Sequence, residues 1–157
     1  MQAKIRRLLC LSLIVVSISS VAIAAVELSG TWKLNIEKSS FGGLSVPSGR
    51  TFNITQRGTM LKIEVTDKTP SGERTQVLEC TTDGAKCVNN VRGQEFRSTV
   101  HWEGSELVFE TEGSLDGSEF RAVDQWTISE DGKTITINRH ASNNIGEVHQ
   151  KLVLEKQ

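Results

Sequence analysis

The sequence has little of what would make it a linker, a nucleic-acid binder or a recognisable enzyme. Proline occurs only 2 times in 157 residues against 13 glycines, which argues against a proline-rich disordered linker and for a chain that reverses often. Neither sign of charge is in excess. The 18 Lys and Arg stand against 19 Asp and Glu, a formal charge of -1, so there is neither a polybasic arm nor an acidic tail. Gly-x-Ser-x-Gly, His-Glu-x-x-His and glycine-rich phosphate loops are all missing, and no nucleophile can be paired with a base from spacing. The length excludes a large multidomain enzyme, and 37% hydrophobic residues suffice for one compact core.

What is present begins with a targeting signal. Lys4, Arg6 and Arg7 precede an apolar run over 8–21 that ends at Ala22-Ile23-Ala24, the pattern of a secretory signal peptide covering 1–24. The run is short for a membrane span, which favours cleavage over a retained anchor. Cys10 follows Leu8-Leu9 rather than a small residue, so no lipid anchor is expected. Cleavage after Ala24 leaves 133 residues with formal charge -4. The expected place of that chain, residues 25–157, is the periplasm or the medium, with no stable membrane insertion. Its mild acidity disfavours phosphate contacts, so no nucleic-acid partner is expected.

Beyond residue 40 the chain alternates polar and apolar residues in short runs broken by glycine-containing turns, with no long segment of helical period. Strands are predicted over 28–35, 50–56, 59–66, 73–80, 87–91, 95–102, 106–111, 119–129, 133–140 and 147–155. The turns between them include Arg57-Gly58, Asp83-Gly84, Gly104-Ser105, Asp116-Gly117 and Asp131-Gly132. The longest polar connection, 37–49, is expected to form a short helical turn or a loop over an opening.

Residues facing each other across a hairpin have numbers of constant sum, so the turns fix a testable register. Asp131-Gly132 places Ile128 opposite Ile135, Trp126 opposite Ile137 and Asp124 opposite Arg139. Gly104-Ser105 places Trp102 opposite Leu107 and Val100 opposite Phe109. Arg57-Gly58 places Ile54 opposite Leu61 and Phe52 opposite Ile63. Each hairpin matches apolar face to apolar face. The fold class is therefore all-β, an antiparallel up-and-down barrel of about eight to ten strands, whose closure removes exposed sheet edges.

Gly30-Thr31-Trp32, within Leu28-Ser29-Gly30-Thr31-Trp32-Lys33-Leu34-Asn35, resembles the G-x-W signature of lipocalin-like (calycin) barrels. The run on through Lys38-Ser39-Ser40-Phe41-Gly42 and the closing Leu152-Val153-Leu154 extend the likeness toward secreted bacterial lipocalin-like proteins. The resemblance implies a barrel with one closed and one open end, and a small apolar ligand inside. It also implies an Arg packed over the motif Trp, which cannot be assigned here. No Thr-Asp-Tyr segment is present, and about ten strands is nearer the fatty-acid-binding variant of the fold.

Gly30, Trp32, Trp102 and Trp126 are assigned structural roles, the three indoles forming an apolar plug at one mouth. Asp124 and Arg139 share the inward face of their hairpin, and buried charges demand partners. They either satisfy one another, or Asp124 orients the Arg139 guanidinium toward a ligand carboxylate. Gln150, Thr111 and Phe120 are placed on nearby inward positions, so Arg139, Asp124, Gln150, Thr111 and Phe120 are the candidate ligand-binding residues. Cys80 and Cys87 lie opposite each other if Asp83-Gly84 makes a tight hairpin, and export makes a disulfide the expected state.

His101, His140 and His149 all fall on outward positions, so no axial haem ligand is available and no cofactor is expected. His140, His149 and the intervening Glu147 could hold a divalent metal, but the preferred reading is that they are polar residues facing solvent, and no metal ligand or catalytic residue is assigned. Glu110 and Glu112 look like a solvated face rather than a glycosidase pair. The expected function is an exported, noncatalytic barrel binding a small hydrophobic or carboxylate-bearing molecule. The alternative is a protein-interaction or inhibitor module of the cell envelope with a filled core, its partner unspecified.

Overall fold

A computed structural model describes residues 26–115 and 117–157. The expected signal peptide 1–24 lies outside the described residues, as does Asp116 of one expected turn. Ten strands follow in chain order: β1 Gly30–Leu34, β2 Gly49–Arg57, β3 Met60–Thr69, β4 Gly72–Thr81, β5 Cys87–Val91, β6 Gln94–Glu103, β7 Glu106–Leu115, β8 Ser118–Ile128, β9 Thr134–Asn143 and β10 Glu147–Lys156. All pairings are antiparallel, and the sheet runs β4-β3-β2-β1-β10-β9-β8-β7-β6-β5. The chain is thus an up-and-down meander whose first and last strands pair, leaving one seam between β4 and β5.

Period-two alternation makes this fold, because each strand sends every second side chain inward. In β2, Phe52 and Ile54 are buried while Asn53 and Thr55 are exposed; in β8, Ala122, Asp124 and Trp126 are buried while Arg121, Val123 and Gln125 are exposed. The inward residues of the lower half merge into one cluster. It holds Leu28, Trp32, Leu34, Phe52, Ile54, Leu61, Ile63, Val65, Val100, Leu107, Phe109, Trp126, Ile135, Ile137, Leu152 and Leu154. Fully burying a side chain of this kind contributes about 1.5–3 kcal/mol, so this cluster is the main source of stability.

The register of two hairpins is as the turns predict: Asp124 faces Arg139, Trp126 faces Ile137, Trp102 faces Leu107 and Val100 faces Phe109. The β2–β3 hairpin is offset by two residues from expectation. Ile54 faces Ile63 and Phe52 faces Val65, because Arg57 pairs with Met60 and the reversal is made by Gly58-Thr59, Gly58 having φ of +58°. A two-residue offset keeps every side chain on its face, so the apolar match survives.

The β4–β5 connection is not the tight hairpin expected. Cys80 and Cys87 do form a disulfide, with a Cα separation of 5.3 Å. Residues 82–84 instead bond to the β2–β3 turn and to β6: the Thr82 amide donates to Thr59 O (2.8 Å) and the Gly84 amide to Val100 O (2.9 Å). That route carries β5 away from ladder contact with β4. Asn89, buried in β5, spans the seam instead: its Oδ1 accepts from the Glu79 amide at 2.8 Å and its Nδ2 donates to Glu79 O at 3.4 Å. One carboxamide thereby replaces one peptide of the missing ladder.

The lower mouth is shut. Leu28 is fully buried, Trp32 Nε1 donates to Leu28 O at 2.9 Å, the Leu28 amide donates to Gln56 Oε1 at 3.2 Å, and the Gln56 amide donates to Ser29 Oγ at 2.9 Å. Gly30 leaves room for the Lys156 stem, whose Nζ lies 5.1 Å from the centre of the Trp32 ring. Lys156 therefore fills the place where the resemblance implies an Arg.

The upper rim carries the reversals after β3, β5, β7 and β9 and the 35–48 connection. That connection makes one turn, with Ser39 Oγ donating to Asn35 O at 2.6 Å, and then pairs Ser40 with Lys151 of β10. Gly42 is pressed onto the His149 carbonyl so closely that a Cβ would overlap it, and its φ of +62° further excludes a side chain.

Candidate functional site

Above the apolar cluster the inward positions turn polar. Along the ladder, Phe109 pairs with Asp124, Asp124 with Arg139 and Arg139 with Gln150, one inward row above Leu107, Trp126, Ile137 and Leu152. Arg139 Nε donates to Asp124 Oδ1 at 2.6 Å and Nη2 to Oδ2 at 2.5 Å, a fork-to-fork pair. Asp124 is 7% exposed, whereas the Arg139 side chain keeps 34% of its surface. The Asp124 carboxylate holds the guanidinium above its ordinary pKa, outweighing the opposing effect of burial. A guanidinium has five N–H donors, and no partner for Nη1 is found among the described residues.

A second inward ion pair was not anticipated from sequence. Arg50 of β2 faces Asp67 of β3 directly above Phe52 and Val65, bonding through Nε to Oδ1 and through Nη2 to Oδ2 at 3.1 Å. The signal was present but hidden by the offset hairpin register, which put Arg50 out of line with Asp67. Both pairs occupy the row immediately above the apolar layer, on separate walls.

The floor beneath is aromatic. Trp126 lies 4.8 Å from Phe109 and meets Phe52 edge-on at 6.2 Å. Trp126 is 4% exposed, and among the described residues its Nε1 is the fully buried side-chain polar atom left without a hydrogen-bond partner. A buried donor so placed costs about 1–3 kcal/mol until an acceptor reaches it. Trp32 is buried as expected, but Trp102 is only partly buried and packs at the margin of the cluster. The expected three-indole plug is therefore built by Trp32 with Leu28, while Trp126 belongs to the floor of the polar half.

The other candidates divide. Gln150 adjoins Arg139 and donates from Nε2 to Phe41 O at 3.3 Å, tying the rim connection to the site. Thr111 shares a hydroxyl hydrogen bond of 2.8 Å with Ser98 on the wall. Phe120 sits nearer the rim, edge-on to Phe96 at 5.8 Å. Towards the rim a groove of about 510 Å³ lies along the β4–β5 seam, lined in part by Asp67, Arg74, Gln76, Asn90 and Arg92. What the site offers chemically is hydrogen-bond donation to an anion above an apolar surface.

No protein-family profile and no curated protein matches the chain. Solved structures do. Zebrafish ileal bile acid-binding protein complexed with cholic acid matches at 16% identity and TM-score 0.57, over 82% of this chain and 98% of its own. Lipid binding protein 8 of Caenorhabditis elegans matches at 13% identity and TM-score 0.61, over 85% and 100%. A secretory abundant heat soluble protein of Ramazzottius varieornatus matches at 12% identity and TM-score 0.63, over 83% and 95%. At these identities the likeness is one of fold: the chain has the lipocalin-like calycin barrel, built here from ten antiparallel strands.

Proposed function

We propose that this barrel is an exported, noncatalytic carrier of a small amphipathic molecule with an apolar body and a carboxylate or similar anionic head. The reading rests on one observation: a partly exposed guanidinium, Arg139, clamped by Asp124 and with donors to spare, in the row of Phe109 and directly above that of Trp126. The body would lie on the aromatic floor, the head would accept from Arg139, and Gln150 and Thr111 would line the head's surroundings beneath Phe120. Several barrels of this fold are described by what they bind, including cholic acid, arachidonic acid and fatty acids, which makes a carboxylate-headed apolar ligand the natural first probe. The signal-like residues 1–24 and the Cys80–Cys87 disulfide support a periplasmic or secreted location. Cofactors play no part in this reading.

The test is tryptophan fluorescence titrated with fatty acids, isoprenoids, bile acids and small aromatic acids. Saturable quenching by carboxylates that is weakened at least tenfold in Arg139→Met supports the reading. No response from any probe sinks it in favour of an interaction module. That second reading has its own observation, since Leu44, Val46 and Ile145 are exposed around the rim. A stoichiometric protein partner lost when Ile145 is changed to Ser would support it.

A further inference from the structure

We infer that the outer face of the β9–β10 hairpin is a binding site for a divalent transition-metal ion, held by His140, His149 and Glu147. The two histidines are directly opposite in the ladder, and Glu147 lies one outward position further along β10, so register alone brings three ligands together. The imidazole rings are stacked at 4.4 Å between centroids and 5° between planes. His140 Nε2 is 3.2 Å from Glu147 Oε2, and one ligand atom from each residue lies within 4.8 Å of the others. Bond lengths of 2.0–2.2 Å in a four-coordinate zinc site place ligand atoms about 3.3–3.5 Å apart, so small rotations of exposed side chains close the set.

The ligand chemistry selects the ion. Two imidazoles and one carboxylate suit Zn²⁺, Ni²⁺ and Cu²⁺ and discriminate against Mg²⁺ and Ca²⁺, which prefer all-oxygen shells. Three protein ligands leave at least one position open, for water or an incoming anion. Both rings border an outer groove of about 570 Å³ with Gln125, Asn138 and Lys151, and the lysine provides a cation for such an anion. The ladder supplies the rigidity: β9 is paired on both sides, to β8 and to β10, and Gly42 of the rim connection packs on the His149 carbonyl. A bound ion would therefore clamp the hairpin whose inward face carries Arg139, without entering the lumen.

Calorimetric titration of the purified protein with Zn²⁺ tests this, alongside His140→Ala, His149→Ala, Glu147→Gln and the control His101→Ala. His101 makes a comparable exposed contact with Glu103 at 3.0 Å but has no second imidazole beside it. One equivalent of Zn²⁺ is expected, with affinity reduced more than about tenfold in each of the two site-histidine variants, less in Glu147→Gln and not in His101→Ala. Zn²⁺ should also raise the thermal midpoint of the unaltered protein and of His101→Ala, but not that of His149→Ala. Absence of saturable binding, one ion shared between two chains, or unchanged affinity in both site-histidine variants would overturn the single-chain site. Equal binding of Mg²⁺ and Zn²⁺ would overturn its assignment to imidazole.

Discussion

The lower and upper halves of the barrel are built by the same long strands from different side chains. Below, the rows through Trp32, Ile54, Ile63, Ile137 and Leu154 are closed and apolar, and the buried Trp32 indole N–H has its acceptor. Above, the rows carry Arg50, Asp67, Asp124, Arg139 and Gln150, and the indole N–H at the boundary, that of Trp126, has none among the described residues. On the proposed reading the contrast separates stability from recognition: the apolar half supplies most of the stability, and the polar half carries the groups that would meet a ligand. Substitutions in the two halves should therefore fail in different ways.

The largest effect is expected below. Trp32→Ala removes a fully buried indole and should cost about 3–5 kcal/mol in denaturant unfolding, with ligand affinity following the folded fraction alone. Reducing Cys80–Cys87, which closes a short loop at the seam, should cost about 2–3 kcal/mol and speed amide exchange in β4 and β5 before other strands. Asp124→Ala leaves Arg139 unpaired; about 2 kcal/mol is expected, less than for a fully buried pair because a third of the guanidinium side chain meets water. Its double variant with Arg139→Met should recover much of that stability and none of the carboxylate binding.

Smaller effects test the rim. Gly113→Ala would bring a methyl within 2.6 Å of Phe96 and 2.9 Å of the Glu95 carbonyl, so about 1–3 kcal/mol is expected, together with a displaced Phe96–Phe120 pair. Acid should loosen the rim connection. Hydrogen bonds from Lys38 and Asn35 lower the pKa of Glu155 in the folded state, so this contribution is present above the unfolded value and is lost as pH falls through the carboxylate range. Amide exchange at residues 35–40 against pH checks it. Smallest is Arg92→Asn, which should stabilise by at most about 1 kcal/mol, because Arg92 is held at φ +57° in its turn and asparagine adopts that conformation more readily.

Much of this contrast could be read before the structure, and the exceptions have identifiable causes. The register of β8–β9 placed Asp124 opposite Arg139 because the Asp131-Gly132 turn and four apolar partners agree on one alignment. Arg50 and Asp67 were invisible because Gly58-Thr59, not Arg57-Gly58, makes the β2–β3 reversal, and an offset of two leaves the apolar pattern unchanged while misaligning the charges. The seam was equally hidden: cysteine spacing correctly indicates the disulfide but says nothing of ladder pairing, which is lost because residues 82–84 bond to β6 and to the β2–β3 turn. Trp126 and Trp32 read alike on inward positions; their different roles depend on whether an acceptor lies within reach of the indole, which alternation does not encode.

Those two indoles provide the most direct measurement. In ¹⁵N-edited spectra of the purified protein titrated with a long-chain fatty acid, the Trp126 indole N–H should shift saturably while that of Trp32, already bonded to Leu28, stays in place, and Arg139→Met should weaken the response. A Trp126 resonance that never moves, or a shift at Trp32 alone, would contradict a ligand site in the upper half above this floor.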